Sequence, residues 1–265
     1  MNAKLKIGLT FLRNYVFNKD RELPTFIIIG TQKGGTSSLF EYLLQHPQIQ
    51  GSFIKEVQYF TERHWIGERG YKAFFPKKKP DTRHVAEATP LYLFSPDAPQ
   101  RIHKQVPDVK LIALLREPVE RAYSNYMHNR RRGHETRTFQ ECVAADIEAA
   151  EISGGPGPCA GENPLDFRHK SYVRRGLYAQ QLKRWYDLFP RENIRIFKAE
   201  DFFSDPTSVS EQTIQFLGLA EHPINTGKAH NQFSYDRKRL DEFPELAEYY
   251  RSPNEELEAL CGIGW

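Results

Sequence analysis

The chain predicts an α/β fold: a single domain with a central parallel β-sheet flanked by helices. Two observations carry that expectation. Short apolar runs recur at residues 26–29 (FIII), 109–115 (VKLIALL) and 194–197 (IRIF), with a weaker one at 84–86. Continuous β-branched runs suit strands covered on both faces, whereas alternation would mark a sheet with one wet face. Helical patterns lie between these runs, and strands alternating with helices imply βαβ units.

The elements follow in chain order. Residues 1–23 are expected to be a helical extension ahead of a domain spanning 24–265. Leu5, Leu9, Leu12 and Val16 recur at helical spacing, with Lys4, Lys6 and Arg13 nearby. The pattern predicts a short helix packed on the domain, with peripheral contact to a membrane as the alternative. Arg13 and Asn14 interrupt the apolar stretch, which excludes a signal peptide and a spanning helix of about 20 residues. Leu39, Phe40, Leu43 and Leu44 predict a helix that stops at Pro47. A second helix starts at Pro118, a favourable first helical position, and runs through Ala122, Tyr126 and Met127 to Gly133. A third runs from Tyr178 through Leu182, Trp185 and Tyr186 to Phe189, stopped by Pro190. The Gly/Pro-rich stretch 152–164 cannot continue a helix and is expected to be an insertion loop over a site. Beyond Pro223 the chain is poorly periodic until Glu255, Leu257 and Leu260.

Composition narrows the function. Thirty-seven Lys and Arg face 34 Asp and Glu, and 13% of residues are aromatic, which excludes a disordered tail. A net charge of +3 gives no argument for nucleic acid. Cys142, Cys159 and Cys261 are too few and too scattered for a disulfide framework or a zinc motif, and the expected location is a reducing cytoplasm. None of the nine histidines has metal-ligand spacing. No Gly-x-Ser-x-Gly elbow marks a serine hydrolase.

Chemistry concentrates at two strand ends. The first apolar run ends at Gly30 and is followed by Thr31, Gln32, Lys33, Gly34 and Gly35. Thr36, Ser37 and Ser38 then open the predicted helix through Leu39 and Leu44. Glycines let backbone N–H groups converge on an anion, and a helix N-terminus adds unpaired donors and a positive dipole. Lys33 adds charge and the hydroxyls add donors. Lys33 precedes both glycines, so the stretch is not a Walker A loop, in which Lys follows the last glycine. The second site repeats the logic: a buried strand ends at Arg116, and the helix from Pro118 carries Ser124. Arg116 is suited to bidentate phosphate binding, or alternatively to a surface pair with Glu117 or Glu120. Metal-dependent P-loop enzymes carry an Asp at such a strand end. Here it is Arg116, so the expectation is two anionic groups held without a metal.

In these residues the chain resembles the sulfotransferases that use 3′-phosphoadenosine 5′-phosphosulfate (PAPS). Residues 33–38 (KGGTSS) look like the family's 5′-phosphosulfate loop, and Arg116 through Ser124, in residues 115–126 (LREPVERAYSNY), look like its 3′-phosphate motif. The similarity extends through Lys55-Glu56-Val57, Glu87-Ala88-Thr89-Pro90, Gly176-Leu177-Tyr178 with Trp185, and Glu200-Asp201-Phe202. The subgroup it resembles contains heparan-sulfate-type and bacterial carbohydrate or lipid sulfotransferases. The resemblance implies a P-loop-NTPase-like fold and metal-independent, in-line transfer of a sulfuryl group from PAPS to a hydroxyl or amine. The acceptor would be a small molecule, lipid or carbohydrate. Lys33 would contact the sulfate and the bridging oxygen. Gly34, Gly35, Thr36, Ser37 and Ser38 would cradle the 5′-phosphate. Arg116 and Ser124 would hold the 3′-phosphate, and Glu56 would be the general base. Lys228, in a faint match to a loop that closes on the nucleotide, would complete the cofactor site. Gln58 stands where the subgroup often has His, and Ala88 where it often has Lys, so basic contacts near the reacting centre are expected to be lost. A kinase with a deviant P-loop and a non-catalytic nucleotide-binding protein are the alternatives.

Overall fold

A computed structural model describes residues 3–227 and 243–265. In chain order its elements are α1 (Ala3–Val16), β1 (Phe26–Gly30), α2 (Thr36–Leu43), β2 (Ile49–Gly51), α3 (Gly67–Lys72), β3 (His84–Ala88), α4 (Leu91–Phe94), α5 (Ala98–Gln105) and β4 (Lys110–Leu115). They continue with α6 (Pro118–Arg131), α7 (Phe139–Ser153), α8 (Pro164–Lys170), α9 (Tyr178–Tyr186), β5 (Ile194–Lys198), α10 (Ala199–Ser204), α11 (Pro206–Phe216) and α12 (Pro244–Cys261).

The five strands form one parallel sheet in the order β2-β3-β1-β4-β5. Every residue of β1 is buried, as its uninterrupted apolar run requires. Side chains alternate between two cores. Ile27 and Ile29 join Val85, Leu111, Ala113 and Leu115 beneath Tyr178, Leu182 and Trp185 of α9. Phe26 and Ile28 join Ala86, Ile112 and Leu114 beneath Leu39, Phe40 and Leu43 of α2. β1 lies between β3 and β4, so chain connections leave it in both directions. In an open parallel sheet that opens a crevice at the carboxyl ends of the strands.

Three sequence expectations change. First, the stripe on α1 does not pack on the domain. Leu5, Leu9, Leu12 and Val16 are 56, 51, 58 and 54% exposed. The opposite face docks instead, because it carries the groups with partners. Phe11 meets the Phe74 ring at 4.9 Å, and Asn14 Nδ2 donates to Ala73 O at 3.0 Å. Arg21 then donates to Asn14 Oδ1 at 2.8 Å and to Phe75 O. Second, the poorly periodic C-terminus holds an 18-residue helix, α12. Pro253 inside it hid the buried face made by Leu246, Tyr250 and Leu257. Third, Ile152 and Ser153 belong to α7, which Thr138 and Glu141 open with a capping box and Gly154 closes at φ 66°. The short edge strand β2 and the helices α3, α4, α5, α7, α8, α10 and α11 carry no expectation from the sequence.

The glycine-rich segment after α7 is fastened by a buried charge cluster rather than lying open over a site. Arg174 Nε donates to Asp146 Oδ1 at 2.7 Å, and its two other nitrogens donate to Glu162 at 2.9 and 2.5 Å. Asp146 also accepts the backbone N–H groups of Val173 and Arg174, at 2.6 and 2.9 Å. Both side chains of the Arg174–Asp146 pair are at least 96% buried. Removing one partner of such a pair strands the other charge, at a cost of about 3–5 kcal/mol. Urea denaturation of Arg174→Ala is expected to show that loss. A change within the ~1 kcal/mol of a surface pair would contradict it.

Candidate functional site

The loop after β1 is shaped by its approach to β4. Thr31 N–H donates to Leu114 O at 2.9 Å, and Gly34 N–H to Thr31 O at 3.0 Å. A Cβ on Gly34 would lie 2.5 Å from Leu114 O, so no side chain fits there. Gly35 sits at φ 90° at the N-cap of α2, and a Cβ there would strike the rings of Phe202 and Phe203 at 2.8 and 2.9 Å. α2 therefore begins with its unpaired backbone donors beside a turn stripped of side chains. Thr36 and Ser38 are buried in its first turn, and Ser37 is half-buried. Lys33 itself adopts φ 75°.

Arg116 follows β4 and is only 6% exposed, so it is not a surface ion pair. Its Nη2 donates to Glu120 Oε2 at 2.8 Å and its Nη1 to Lys33 O at 3.3 Å. The second sequence-predicted anion site is thereby tied to the first. Glu117 caps α6 by accepting from Val119 and Glu120 N–H at 3.0 and 2.6 Å. Tyr178 donates to Arg116 O at 2.8 Å. Ser124 is buried on α6. Arg121, Ser124 and His128 recur at three- and four-residue spacing and so share one face of that helix.

This helix face makes the electrostatics of the site. Burial lowers the Lys33 pKa to about 8, helped by the charges of Arg116, Arg131, Arg132 and Arg121. Burial also pushes His128 down to about 4, with Lys33 as the foremost charge and Arg132 and Arg131 after it. Arg131 and Arg132, in the basic run that ends α6, thus act on Lys33 and His128. Arg121 is fully buried, donates to Tyr172 O, and leaves Nε and Nη1 without a protein partner. Such a collection of cations gives the cradle a positive potential.

Glu56 lies in the turn after β2, at φ 61°, and Gln58 adopts φ 55°. With Lys33 these are three of the four non-glycine residues at positive φ among the described residues, the fourth being Asp20. Left-handed backbone at a non-glycine residue costs energy and is characteristic of sites where geometry matters more than relaxation. Glu56 N–H donates to Ala88 O at 3.0 Å, and Gln58 N–H to Thr89 Oγ1 at 3.2 Å, fixing the turn to the end of β3. The Glu56 side chain is 46% exposed and has Lys55 Nζ and Gln58 Nε2 each at 3.5 Å. Glu87, one residue before Ala88, is fully buried under the hydroxyls of Tyr71, Thr89 and Tyr92. His64 lies against Tyr59 near the positive charges of Arg101 and Lys104.

The expected loss of basic contacts at Gln58 and Ala88 is offset by two arginines that sequence reading missed. Arg168 of α8 donates to Gln58 Oε1 at 2.9 Å and pairs with Glu62. Arg175 donates to Gln32 Oε1 at 2.7 Å and to Arg168 O. A continuous path of contacts, Gln32–Arg175–Arg168–Gln58–Glu56, therefore joins the cradle to the carboxylate. Burial lowers the pKa of both arginines, and both feel the Glu56 charge. The signal for them was slight: two arginines on either side of a loop, more than 100 residues from their partners. Lys33, Gly34, Gly35, Thr36, Ser37, Ser38, Arg116 and Glu56 thus follow the carboxyl ends of neighbouring strands, and Ser124 is buried two turns into α6. Lys228 lies outside the described residues. Among the described residues no cluster of three or more His, Cys, Asp or Glu side chains is arranged for a metal ion.

Known proteins share both the sequence and the fold. The family model for the sulfotransferase domain matches residues 23–255. The chain is 33% identical over 207 residues to the human heparan sulfate glucosamine 3-O-sulfotransferase 6, covering 75% of this chain and 53% of that protein. It is 32% identical over 207 residues to the human bifunctional heparan sulfate N-deacetylase/N-sulfotransferase 3, covering 76% of this chain and 23% of that protein. It therefore spans from about a quarter to about half of these relatives. The crystal structure of a sulfotransferase from Alicyclobacillus acidocaldarius superposes with a TM-score of 0.74 at 32% identity, over 92% of this chain and 98% of that one. With its glycine cradle and strand-end arginine on a parallel sheet, and its match over nearly the whole length, the chain belongs to the sulfotransferase domain family.

Proposed function

We propose that this protein transfers a sulfuryl group from PAPS to a hydroxyl or amine of a small-molecule, lipid or carbohydrate acceptor, in line and without a metal. The observation that carries the reading is the union of two anion sites through the Arg116–Lys33 carbonyl contact at 3.3 Å. A nucleotide with phosphate groups at both its 3′ and 5′ positions has the matching charge pattern. The cradle fits such a group. Gly34 and Gly35 admit no side chain, and the N-terminus of α2 presents its backbone donors beside them.

When bound, PAPS supplies a sulfuryl group already joined to a phosphate leaving group. The backbone N–H groups of Gly34, Gly35 and Thr36, with the hydroxyls of Ser37 and Ser38, hold the 5′-phosphate. Lys33 places its ammonium where negative charge develops on the bridging oxygen. A fixed positive charge in a water-poor site stabilises that transition state. Arg116 and Ser124 hold the 3′-phosphate, with Arg116 exchanging Glu120 for it. Glu56 accepts the proton of the acceptor, a role its partly exposed carboxylate and two long contacts leave it able to fill. Lys228 is assigned to the closing loop on the strength of its motif. The names of the two human relatives place one at oxygen and the other at nitrogen, consistent with an acceptor hydroxyl or amine.

Two tests follow. Lys33 has a pKa near 8 without nucleotide, so it carries its proton at pH 7 and loses it above pH 8. An anion raises that pKa, so binding 3′-phosphoadenosine 5′-phosphate takes up protons near pH 8. Affinity falls toward roughly ten-fold per unit at higher pH. Calorimetry in buffers of different ionisation enthalpy measures both, and Lys33→Ala removes them. A flat pH profile in the wild type would remove Lys33 from the site. For the base, Glu56→Gln is expected to bind the nucleotide normally while turnover with labelled PAPS drops about 10²–10⁴-fold. Undiminished turnover would assign the proton to another group.

A further inference from the structure

The exposed face of α1 has no role in the chemistry above. At 100° per residue, Leu5, Leu9, Leu12 and Val16 fall within one narrow stripe. Asn14 lies diametrically opposite, facing the domain. Lys4 flanks the stripe on one side, and Lys6 and Arg13 flank it on the other. Ile7 and Phe17 add further exposed apolar surface, at 41 and 65%. Residues 1–19 contain Lys4, Lys6, Arg13 and Lys19 and no acidic side chain. The helix is held in one orientation: Arg69 donates to Tyr15 O at 3.1 Å, Asn18 donates to Arg69 O at 3.0 Å, and Arg21 bridges Asn14 to the Phe75 carbonyl. A contiguous apolar stripe facing water on a firmly docked helix marks an interaction surface.

We infer that α1 is an interfacial anchor that lays its leucine stripe into an anionic lipid bilayer. Charge decides the occupant. Cations on both flanks of an apolar stripe match lipid phosphates at the depth where the stripe meets acyl chains, and lysine and arginine stems reach outward to them. Beside the helix lies a cleft of about 660 Å³ whose wall includes Phe17 and Phe53 and whose charged members are Arg13, Arg21 and Lys77. It extends the same pairing of apolar surface with positive charge. Among the described residues no helix is long and apolar enough to cross a membrane, so the contact lies on the surface. Through Phe74, whose ring lies tilted against Phe11 at 4.9 Å and stacks on Phe53 at 5.6 Å, the helix is packed against the segment that leads to Glu56.

Vesicle co-sedimentation of the full chain tests this. The wild type is expected to sediment with phosphatidylglycerol vesicles, more weakly with phosphatidylcholine, and less as salt increases. Leu9→Glu with Leu12→Glu abolishes sedimentation, while the variant melts at the wild-type temperature because both side chains face water. Lys6→Gln weakens binding to the anionic vesicles roughly five-fold, the effect of one basic group near the surface. A wild type that stays in the supernatant with both vesicles overturns the inference, as does a double variant that sediments like the wild type. A dimer in sedimentation velocity that the double variant dissolves, without vesicle binding, also overturns it and assigns the stripe to a second copy of the chain. None of these outcomes depends on nucleotide binding.

Discussion

Where the loop after β1 meets the end of β4 there is no room for a methyl group. Leu114 O accepts the Thr31 N–H at 2.9 Å and would lie 2.5 Å from any Cβ on Gly34. The rest of the site depends on this backbone-to-backbone contact. It holds the cradle against the strand that delivers Arg116, so that Arg116 reaches the Lys33 carbonyl. It also turns Lys33 into the left-handed region and aims the first turn of α2 at the same space. A larger residue at position 34 would separate the two anion sites even with every charged side chain retained.

The second theme is crowded positive charge. Burial lowers the Lys33 pKa, and the charges of Arg116, Arg131, Arg132 and Arg121 lower it further. A protein selected for stability alone would disperse such a cluster, because buried or crowded like charges oppose folding. A multiply charged anion reverses the sign of each of these terms on binding. The path from Gln32 through Arg175 and Arg168 to Gln58 extends positive charge toward Glu56. It lies where the sequence departs from the pattern it resembles, at Gln58.

Much of this was legible in the sequence because it rests on local rules. The apolar runs became buried parallel strands, Pro118 began α6, and the glycine turn opened α2. What escaped had non-local causes. Arg168 and Arg175 act on partners brought near only by the packing of α8 and the turn after it. Arg121 stands within the motif stretch, but its burial against the Tyr172 carbonyl is set by distant packing. The α1 stripe has the period of a packed helix, but periodicity cannot say which face finds a partner, and here Phe11 and Asn14 dock. Pro253 masked the periodicity of α12, and the three-residue strand β2 is too short to announce itself.

The central claim is that one edge of the sheet reads two phosphate positions with separate residues. It is tested most directly by calorimetry on the wild type and Arg116→Ala, each titrated with 3′-phosphoadenosine 5′-phosphosulfate and with adenosine 5′-phosphosulfate, which lacks the 3′-phosphate. Arg116→Ala should weaken the first ligand roughly ten- to hundred-fold, the worth of a charge-assisted hydrogen bond, and leave the second unchanged. Equal losses for both ligands, or no binding of the first by the wild type, would contradict the account.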